Sequence, residues 1–378
     1  MTFSPEKQNT QTTVYIVSLG CAKNLVDTEV ISGYLVTNGY LISADADDAD
    51  VMLINTCSFI KDACNEADSV ISEGLDWKKS FAGRRVVVAG CMPQRYKDTI
   101  EDQYPEVDLF LGVDDVPHIA EKLDSLLSSG SPGNIVKSEL PHYIYNDKSP
   151  RLQLTPSCYA YVKIAEGCDH TCHFCTIPAI RGKRRSREPE SIVKEVKMLI
   201  DSGVKEINLI AQDTTAYGKD KNDDSDLAFL LKQIDKISAD FWVRVLYTHP
   251  LYFNEELVKV FKHTDHVVPY VDMPLQHISD NILRRMGRSR PNSETIKKLL
   301  DEIREEIPDA AIRTTFLTGY PGESEKDFEE LYNFIIDFSF DRMGVFAFSP
   351  ESGTPAANMI EKFVSRQKAE ERRDILLK

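Results

Sequence analysis

Short runs of aliphatic and β-branched residues alternate with stretches of helical period along almost the whole chain. In the first third, residues 14–19, 51–55, 85–89 and 107–111 read as strands, each followed by a helical pattern. That alternation predicts a doubly wound parallel sheet, because parallel neighbours need a crossover and a helix supplies it. The pattern then breaks. Ser128-Ser-Gly-Ser-Pro-Gly-Asn134 is followed by Pro141, Pro150 and Pro156 with no sustained period, which predicts a connection between domains. A second series begins at Tyr159, with strands expected at 159–165, 206–211, 242–247, 268–273, 311–317 and 344–348. Six strand–helix units predict a partial (β/α)6 barrel. One helix of the series, 191–200, carries Ile192, Val193, Val196, Leu199 and Ile200 on one face and ends before Gly203. The expected division is a disordered leader 1–13, a first domain 14–128, a linker 129–157, a second domain 158–365 and a charged helical tail 366–378.

Composition narrows the class. With 378 residues, 42% apolar and 28% charged, the chain can fill two cores. No run approaches the roughly 20 apolar residues of a membrane span, and the first 13 residues are polar, so neither an anchor nor a secretion signal is expected and the protein is expected in the cytoplasm. In that reducing compartment eight cysteines point to metal ligands or reactive thiols, not disulfides. A net charge of -15 argues against non-specific nucleic-acid binding and suits a basic protein partner better.

The cysteines fall in two groups. Cys21 follows Ser18-Leu19-Gly20, Cys57 follows Ile54-Asn55-Thr56, and Cys91 follows Val88-Ala89-Gly90, so three expected strands end in a cysteine. Doubly wound sheets bind ligands beyond the carboxyl ends of their strands, so these thiols should meet at one rim, with Cys64 as a spare buried thiol. The plainer alternative is three small apolar residues in a core. Neither G-x-G-x-x-G nor G-x4-G-K-[ST] occurs in this domain, so nucleotide binding there has no support. The second group is Gly167-Cys-Asp-His-Thr-Cys-His-Phe-Cys175. Cys168, Cys172 and Cys175, spaced C-x3-C-x2-C, suit three irons of a 4Fe-4S cubane and leave the fourth open. Structural zinc would need a fourth ligand, for which Cys158 or His170 is available.

Polar residues recur at the expected barrel strand ends: Gln212-Asp213-Thr214-Thr215, His249-Pro250, Gln276-His277, and Thr318-Gly-Tyr-Pro-Gly322-Glu323. Any one of these is most simply a turn or helix cap. Together they read as a lined rim, in which Gly319 and Gly322 let backbone approach a ligand. The run Arg181-Gly-Lys-Arg-Arg-Ser-Arg187 is by itself a solvated loop, but its place after the cysteines also suits it to hold a carboxylate.

This arrangement resembles the methylthiotransferases, radical S-adenosylmethionine (SAM) enzymes that insert a methylthio group at an unactivated C–H bond. The resemblance spans nearly the whole chain. Ser18-Leu-Gly-Cys-Ala-Lys-Asn-Leu-Val-Asp-Thr-Glu29, Asn55-Thr-Cys-Ser-Phe-Ile60, Lys163-Ile-Ala-Glu-Gly-Cys-Asp-His170, Ile207-Asn-Leu-Ile-Ala-Gln-Asp-Thr-Thr215 and Pro274-Leu-Gln-His277 look like the branch that modifies an aspartate β-carbon in a small-subunit ribosomal protein. The tRNA-adenosine branch instead tends to read Gly-Cys-Gln-Met-Asn at the first cysteine. The resemblance implies two 4Fe-4S clusters, an auxiliary one on Cys21, Cys57 and Cys91 and a SAM-binding one on Cys168, Cys172 and Cys175. It also implies SAM contacts around Gln212, Asp213, Gln276, His277, Gly319 and Gly322, an electron donor such as flavodoxin, and no nucleic acid as primary substrate. No general base is expected, since hydrogen-atom abstraction needs none, and of the histidines His277 is the one expected to touch substrate or SAM. Members of the branch usually continue into a small β-barrel, the TRAM domain, which is expected to be absent here because the sequence stops at Lys378. An iron-sulfur electron carrier is the non-enzymatic alternative, and it leaves the polar rim unexplained.

Overall fold

The structure, a computed structural model, describes residues 11–129, 140–359 and 362–378. The chain divides after Leu154 into two compact units. Expectations for the leader and for the first part of the linker fall on residues 1–10 and 130–139, outside the described residues.

In the first unit the elements run β1 (Thr13–Ser18), α1 (Ala22–Thr37), β2 (Leu41–Ser43), β3 (Val51–Thr56), α2 (Lys61–Ser80), β4 (Arg85–Gly90), α3 (Cys91–Arg95), α4 (Ile100–Gln103), β5 (Leu109–Leu111) and α5 (Ile119–Ser129). The sheet is parallel throughout, in the order β2-β1-β3-β4-β5. Its centre is β3, buried at all six positions, because helices cover both faces of a parallel sheet. The short edge strand β2 has no buried residue and therefore lacks the apolar run that marks the others.

Residues 140–154, read from sequence as part of the linker, run along α1. Leu152 N–H donates to Glu29 O at 2.9 Å, Leu154 N–H reaches the Glu29 carboxylate at 2.8 Å, and Arg151 Nε joins it at 2.9 Å. The Glu29 side chain is wholly buried, so it needs its cation. Changing Arg151 to Met should destabilise the first unit by about 3 kcal/mol, the cost of leaving a buried charge uncompensated. A urea transition followed by circular dichroism would register this as a lower midpoint for that unit.

The second unit starts with β6 (Tyr159–Lys163), β7 (Ala165–Glu166), α6 (Ile177–Arg181), β8 (Arg185–Ser186), α7 (Pro189–Asp201), β9 (Glu206–Ile210), α8 (Leu227–Ile234) and β10 (Trp242–Val245). It continues with α9 (Glu255–His263), β11 (Tyr270–Asp272), α10 (Asp280–Arg285), α11 (Ser293–Glu306), β12 (Ala311–Thr318), α12 (Glu325–Phe338), β13 (Arg342–Ala347) and α13 (Arg366–Leu376). Parallel pairing gives β6-β9-β10 and β11-β12-β13. Val243 N to His266 O and Thr248 N to Asp272 O, both 2.8 Å, link the two sets. Six parallel staves in chain order result, an open (β/α)6 barrel whose carboxyl ends form one rim. The helices bury faces of the expected period: α7 turns Ile192 and Val196 inward, and the chain reverses at Gly203. Helix α13 lies on β12 and β13, where Thr318 Oγ1 donates to Ala369 O at 2.9 Å and buried Arg372 meets Glu323 at 2.8 Å.

Candidate functional site

The loop carrying Cys168, Cys172 and Cys175 leaves the first barrel strand and is closed at its base by the antiparallel pair β7–β8, Ala165 opposite Ser186 and Glu166 opposite Arg185. This two-residue ladder is too short to show as a pattern in the sequence. Gly167 starts the loop at φ +79°, and a Cβ there would lie 2.1 Å from Lys183 O, so only glycine fits the crossing of the two arms. Cys168 N–H donates to Gly182 O at 3.1 Å. The far side is strapped to the end of α10: His173 N–H reaches Met286 O at 2.9 Å, and its Nδ1–H donates to Arg285 O at 2.7 Å.

All three thiols are half-buried. Burial pushes Cys168 up to about 11 and Cys175 up to about 12, and the neighbouring cysteines reinforce both shifts. Without metal these groups are therefore thiols, and a metal taking them as thiolates supplies the energy to deprotonate them. Cationic neighbours favour the thiolate form: Arg288 Nη1 stands 3.9 Å from Cys172 Sγ, and the charge of Arg184 lowers Cys168. Three soft donors on eight residues, with cations beside them, fit an iron-sulfur cluster. Among the described residues, neither of the two candidates stands as a fourth zinc ligand. Cys158 precedes β6 at the opposite end of the strand, and His170 Nε2–H is turned to Asp213 Oδ2 at 2.6 Å.

Around the rim, Gln212 follows β9 and donates its amide to Glu166 Oε1, while its own Oε1 is buried without a hydrogen bond. Burial pushes Glu166 up, but Lys163 at 2.6 Å and Arg181 at 3.2 Å outweigh it and hold the carboxyl well below the usual range. Asp213 is buried and accepts from His170 and from Thr215 Oγ1 at 2.5 Å. His170 stacks on His249, with ring centroids 4.2 Å apart and planes 17° from parallel. The structure thus brings His170, Asp213 and His249 together beside the cysteine loop. Gln276, at φ +72°, is held after β11 by Thr315 O at 2.8 Å. His277 is wholly buried; burial drives it down to about 3, and its Nδ1 accepts from Ser279 N–H at 3.0 Å. Gly319 lies against Ala369 of α13, and Gly322 against Arg285.

The basic run is not the solvated loop that composition suggests. Arg181, Arg184 and Arg187 are 2%, 6% and 3% exposed. Arg181 and Arg187 have buried carboxylate partners in Glu166 and Glu195. Sequence reasoning assigned no role to Arg288 or Lys163, whose partners lie in other elements.

In the first unit, Cys21, Cys57 and Cys91 stand at the carboxyl ends of three adjacent strands, β1, β3 and β4. Ser18 pairs with Asn55, and Thr56 with Gly90, so the strands end almost level. Cys21 opens α1 and Cys91 opens α3; Cys21 is exposed, while Cys57 and Cys91 are each 8% exposed. The ends are tightly drawn together. A Cβ on Gly20, at φ +90°, would lie 2.5 Å from Cys57 Cβ and 3.0 Å from its Sγ. Cys64, expected buried, is half-buried in the first turn of α2, 3.7 Å from Tyr96 Oη. None of the eight cysteines is joined in a disulfide, and among the described residues no helix is long and apolar enough to cross a membrane.

Residues 162–335 match the radical SAM superfamily, and residues 13–112 match an uncharacterized protein family, UPF0004. The ribosomal protein uS12 methylthiotransferase RimO of Citrifermentans bemidjiense is 42% identical over 369 residues, 98% of this chain and 82% of the relative. The protein of that name from Dictyoglomus thermophilum is 45% identical over 343 residues, covering 91% and 77%. Among solved structures, the radical SAM methyltransferase TsrM from Kitasatospora setae, with cobalamin and a [4Fe-4S] cluster bound, superposes with a TM-score of 0.66 at 14% identity, covering 92% of this chain and 77% of that one. The cobalamin-dependent radical SAM enzyme OxsB gives 0.58 at 13%, covering 97% and 56%. At such identities the two structures speak to fold alone.

Proposed function

This chain belongs to the family of ribosomal protein uS12 methylthiotransferases named RimO, and on that premise we propose that it inserts a methylthio group at the β-carbon of an aspartate of that small-subunit protein, using two 4Fe-4S clusters. It is a radical SAM methylthiotransferase, and its cofactors are iron-sulfur clusters and SAM. One observation carries the two-cluster reading: each unit presents three cysteines at the carboxyl-end rim of a parallel sheet, the place where such folds receive ligands. In this reading Cys168, Cys172 and Cys175 hold the cluster that binds SAM, and Cys21, Cys57 and Cys91 hold the second. When bound, the clusters and SAM supply the electron transfer, the hydrogen-atom abstraction and the methylthio sulfur.

The chain's own residues hold and orient. Gly167 and the β7–β8 ladder fix where the loop thiols point, and His173 fixes the loop's far arm. The Lys163–Glu166–Arg181 group anchors Gln212 at the rim, leaving its Oε1 available to a ligand donor. Gln276, Gly319 and Gly322 stand at neighbouring strand ends and complete the proposed SAM surface. His277 supports that surface from beneath, as a neutral ring in the interior. The reading places the enzyme in the cytoplasm with a low-potential one-electron donor of the flavodoxin kind. Its net charge of -15 favours a basic ribosomal protein over a polyphosphate.

The test supplies anaerobically reconstituted, reduced enzyme with SAM, sulfide and either uS12 or tRNA. Methylthiolation of an aspartate in uS12, found by peptide mass spectrometry with tRNA unchanged, is the expected result. Methylthio-adenosine in the tRNA would move the chain to the other branch.

A further inference from the structure

A buried ion pair ties helix α13 to a turn at the rim. Arg372 is 3% exposed and the Glu323 side chain is wholly buried. Arg372 Nη1 donates to Glu323 Oε1 at 2.8 Å and to Glu323 O at 3.2 Å, while Nη2 meets the exposed Glu325 at 2.8 Å. Glu323 uses its other oxygen to accept from Tyr320 N–H at 3.1 Å, and its own N–H donates to Tyr320 O at 2.9 Å, which closes a Pro-Gly turn with Gly322 at φ +88°. Burial pushes the Glu323 carboxyl up to about 7 against the pull of Arg372 and of the Tyr320 and Gly319 N–H groups, so losing the guanidinium favours the neutral acid.

The turn reaches the cysteine loop through Tyr320. That ring is wholly buried and meets Phe174 edge-on, with centroids 6.4 Å apart and planes at 83°. Its hydroxyl donates to Arg285 O at 3.2 Å, and the same carbonyl accepts from His173 Nδ1–H at 2.7 Å. His173 and Phe174 both lie between Cys172 and Cys175. We propose that Arg372 is a positioning residue for the rim: through Glu323 and Tyr320 it fixes the 320–323 turn and, with it, the His173–Phe174 arm of the cysteine loop. The turn has little grip of its own, because Pro321 has no N–H and Gly322 no side chain, so the carboxylate that closes it is held from outside. A buried carboxylate needs a cation, and Arg372 meets it. The inference rests on the radical SAM reading above, in which the arm stands between two cluster ligands and the turn borders SAM.

Three variants of the full chain test this: Arg372→Met, Glu323→Gln and, as a control, Leu376→Ala, since Leu376 anchors the same helix through the apolar core instead. The first readout needs no cofactor. Amide exchange followed by mass spectrometry on metal-free protein should be roughly threefold or more faster in peptides covering 168–176 and 318–323 for the first two variants, and unchanged there for the control. The second readout uses anaerobically reconstituted protein, in which iron per chain should match the parent because no cysteine is altered. In peptide-free formation of 5'-deoxyadenosine, kcat/KM for SAM should fall about tenfold to a hundredfold for Arg372→Met and Glu323→Gln, as expected when reacting groups are misplaced by about 1 Å, while Leu376→Ala stays within about twofold. The double variant should be no worse than the poorer single one, because both residues serve one link. Unchanged exchange in the cysteine-loop peptide, or faster exchange with unchanged kcat/KM, overturns the proposal. So does an equal fall in the control, which would make α13 a general prop of the fold, or failure of both Arg372→Met and Glu323→Gln to fold. If only Arg372→Met fails to fold, Glu323→Gln decides. Parent protein that forms no 5'-deoxyadenosine would count against the function proposed above, and the exchange result would still judge the link.

Discussion

Protein in which Cys168, Cys172 and Cys175 are all replaced by Ala should form no 5'-deoxyadenosine from SAM, yet retain about half the iron of the parent. The three thiols lie close enough within one loop for the neighbouring cysteines to push Cys168 and Cys175 further up. The fold should survive. The loop is held at its base by β7–β8 and at its far side by backbone bonds to Met286, none of which involves a cysteine side chain. Iron analysis with chromatography of the SAM products checks both halves of the statement. Unchanged iron, or zinc in stoichiometric amount after anaerobic preparation, would sink the assignment of this loop.

Changing Cys21, Cys57 and Cys91 to Ala should have the complementary effect: 5'-deoxyadenosine still forms, but methylthio transfer to uS12 drops below detection. Two of the three side chains are buried, and shortening them should cost about 1 kcal/mol each, a loss that a sheet with a fully buried central strand can absorb. Mass spectrometry of the peptide, run beside the SAM-cleavage assay, separates the two activities. Should a folded variant lose both, the division of labour between the two sets of cysteines is wrong. Should it keep transferring the methylthio group, the rim cysteines hold nothing the reaction needs.

Much of this architecture is written in the chain. Central parallel strands must be apolar on both faces, so β3 and β4 announce themselves as continuous aliphatic runs, whereas barrel staves such as β10 and β12 show apolar positions that alternate with polar ones. Elements of two or three residues, β2, β7 and β8, carry no such run, since pairing alone defines them. Cysteines were legible for a chemical reason, because thiols at fixed spacing or at successive strand ends have few alternative explanations. The grouping of His170, Asp213 and His249 was not, because each is an ordinary polar residue until the barrel closes and stacks the two rings. The arginines of 181–187 misled in the opposite sense: charge suggests solvent, whereas Arg187 is buried by its ion pair with Glu195, a residue one helix further on. His277 shows the same limit, since nothing local tells a rim histidine from one whose backbone step carries it into the interior.

The two cysteine sets also differ in when they can exist. Cys168 and Cys175 are seven residues apart, and even a locally collapsed chain can bring them within reach of one ion. Cys21 and Cys91 are separated by seventy residues and meet only after β1, β3 and β4 have paired in register. The rim set is thus a product of the completed sheet, and on the two-cluster reading proposed above iron offered to a nascent or heat-damaged chain should find the loop first and the rim last. Conditions that loosen the first unit without unfolding the barrel dismantle the rim set selectively. On that reading maturation and damage should follow an order set by sequence separation.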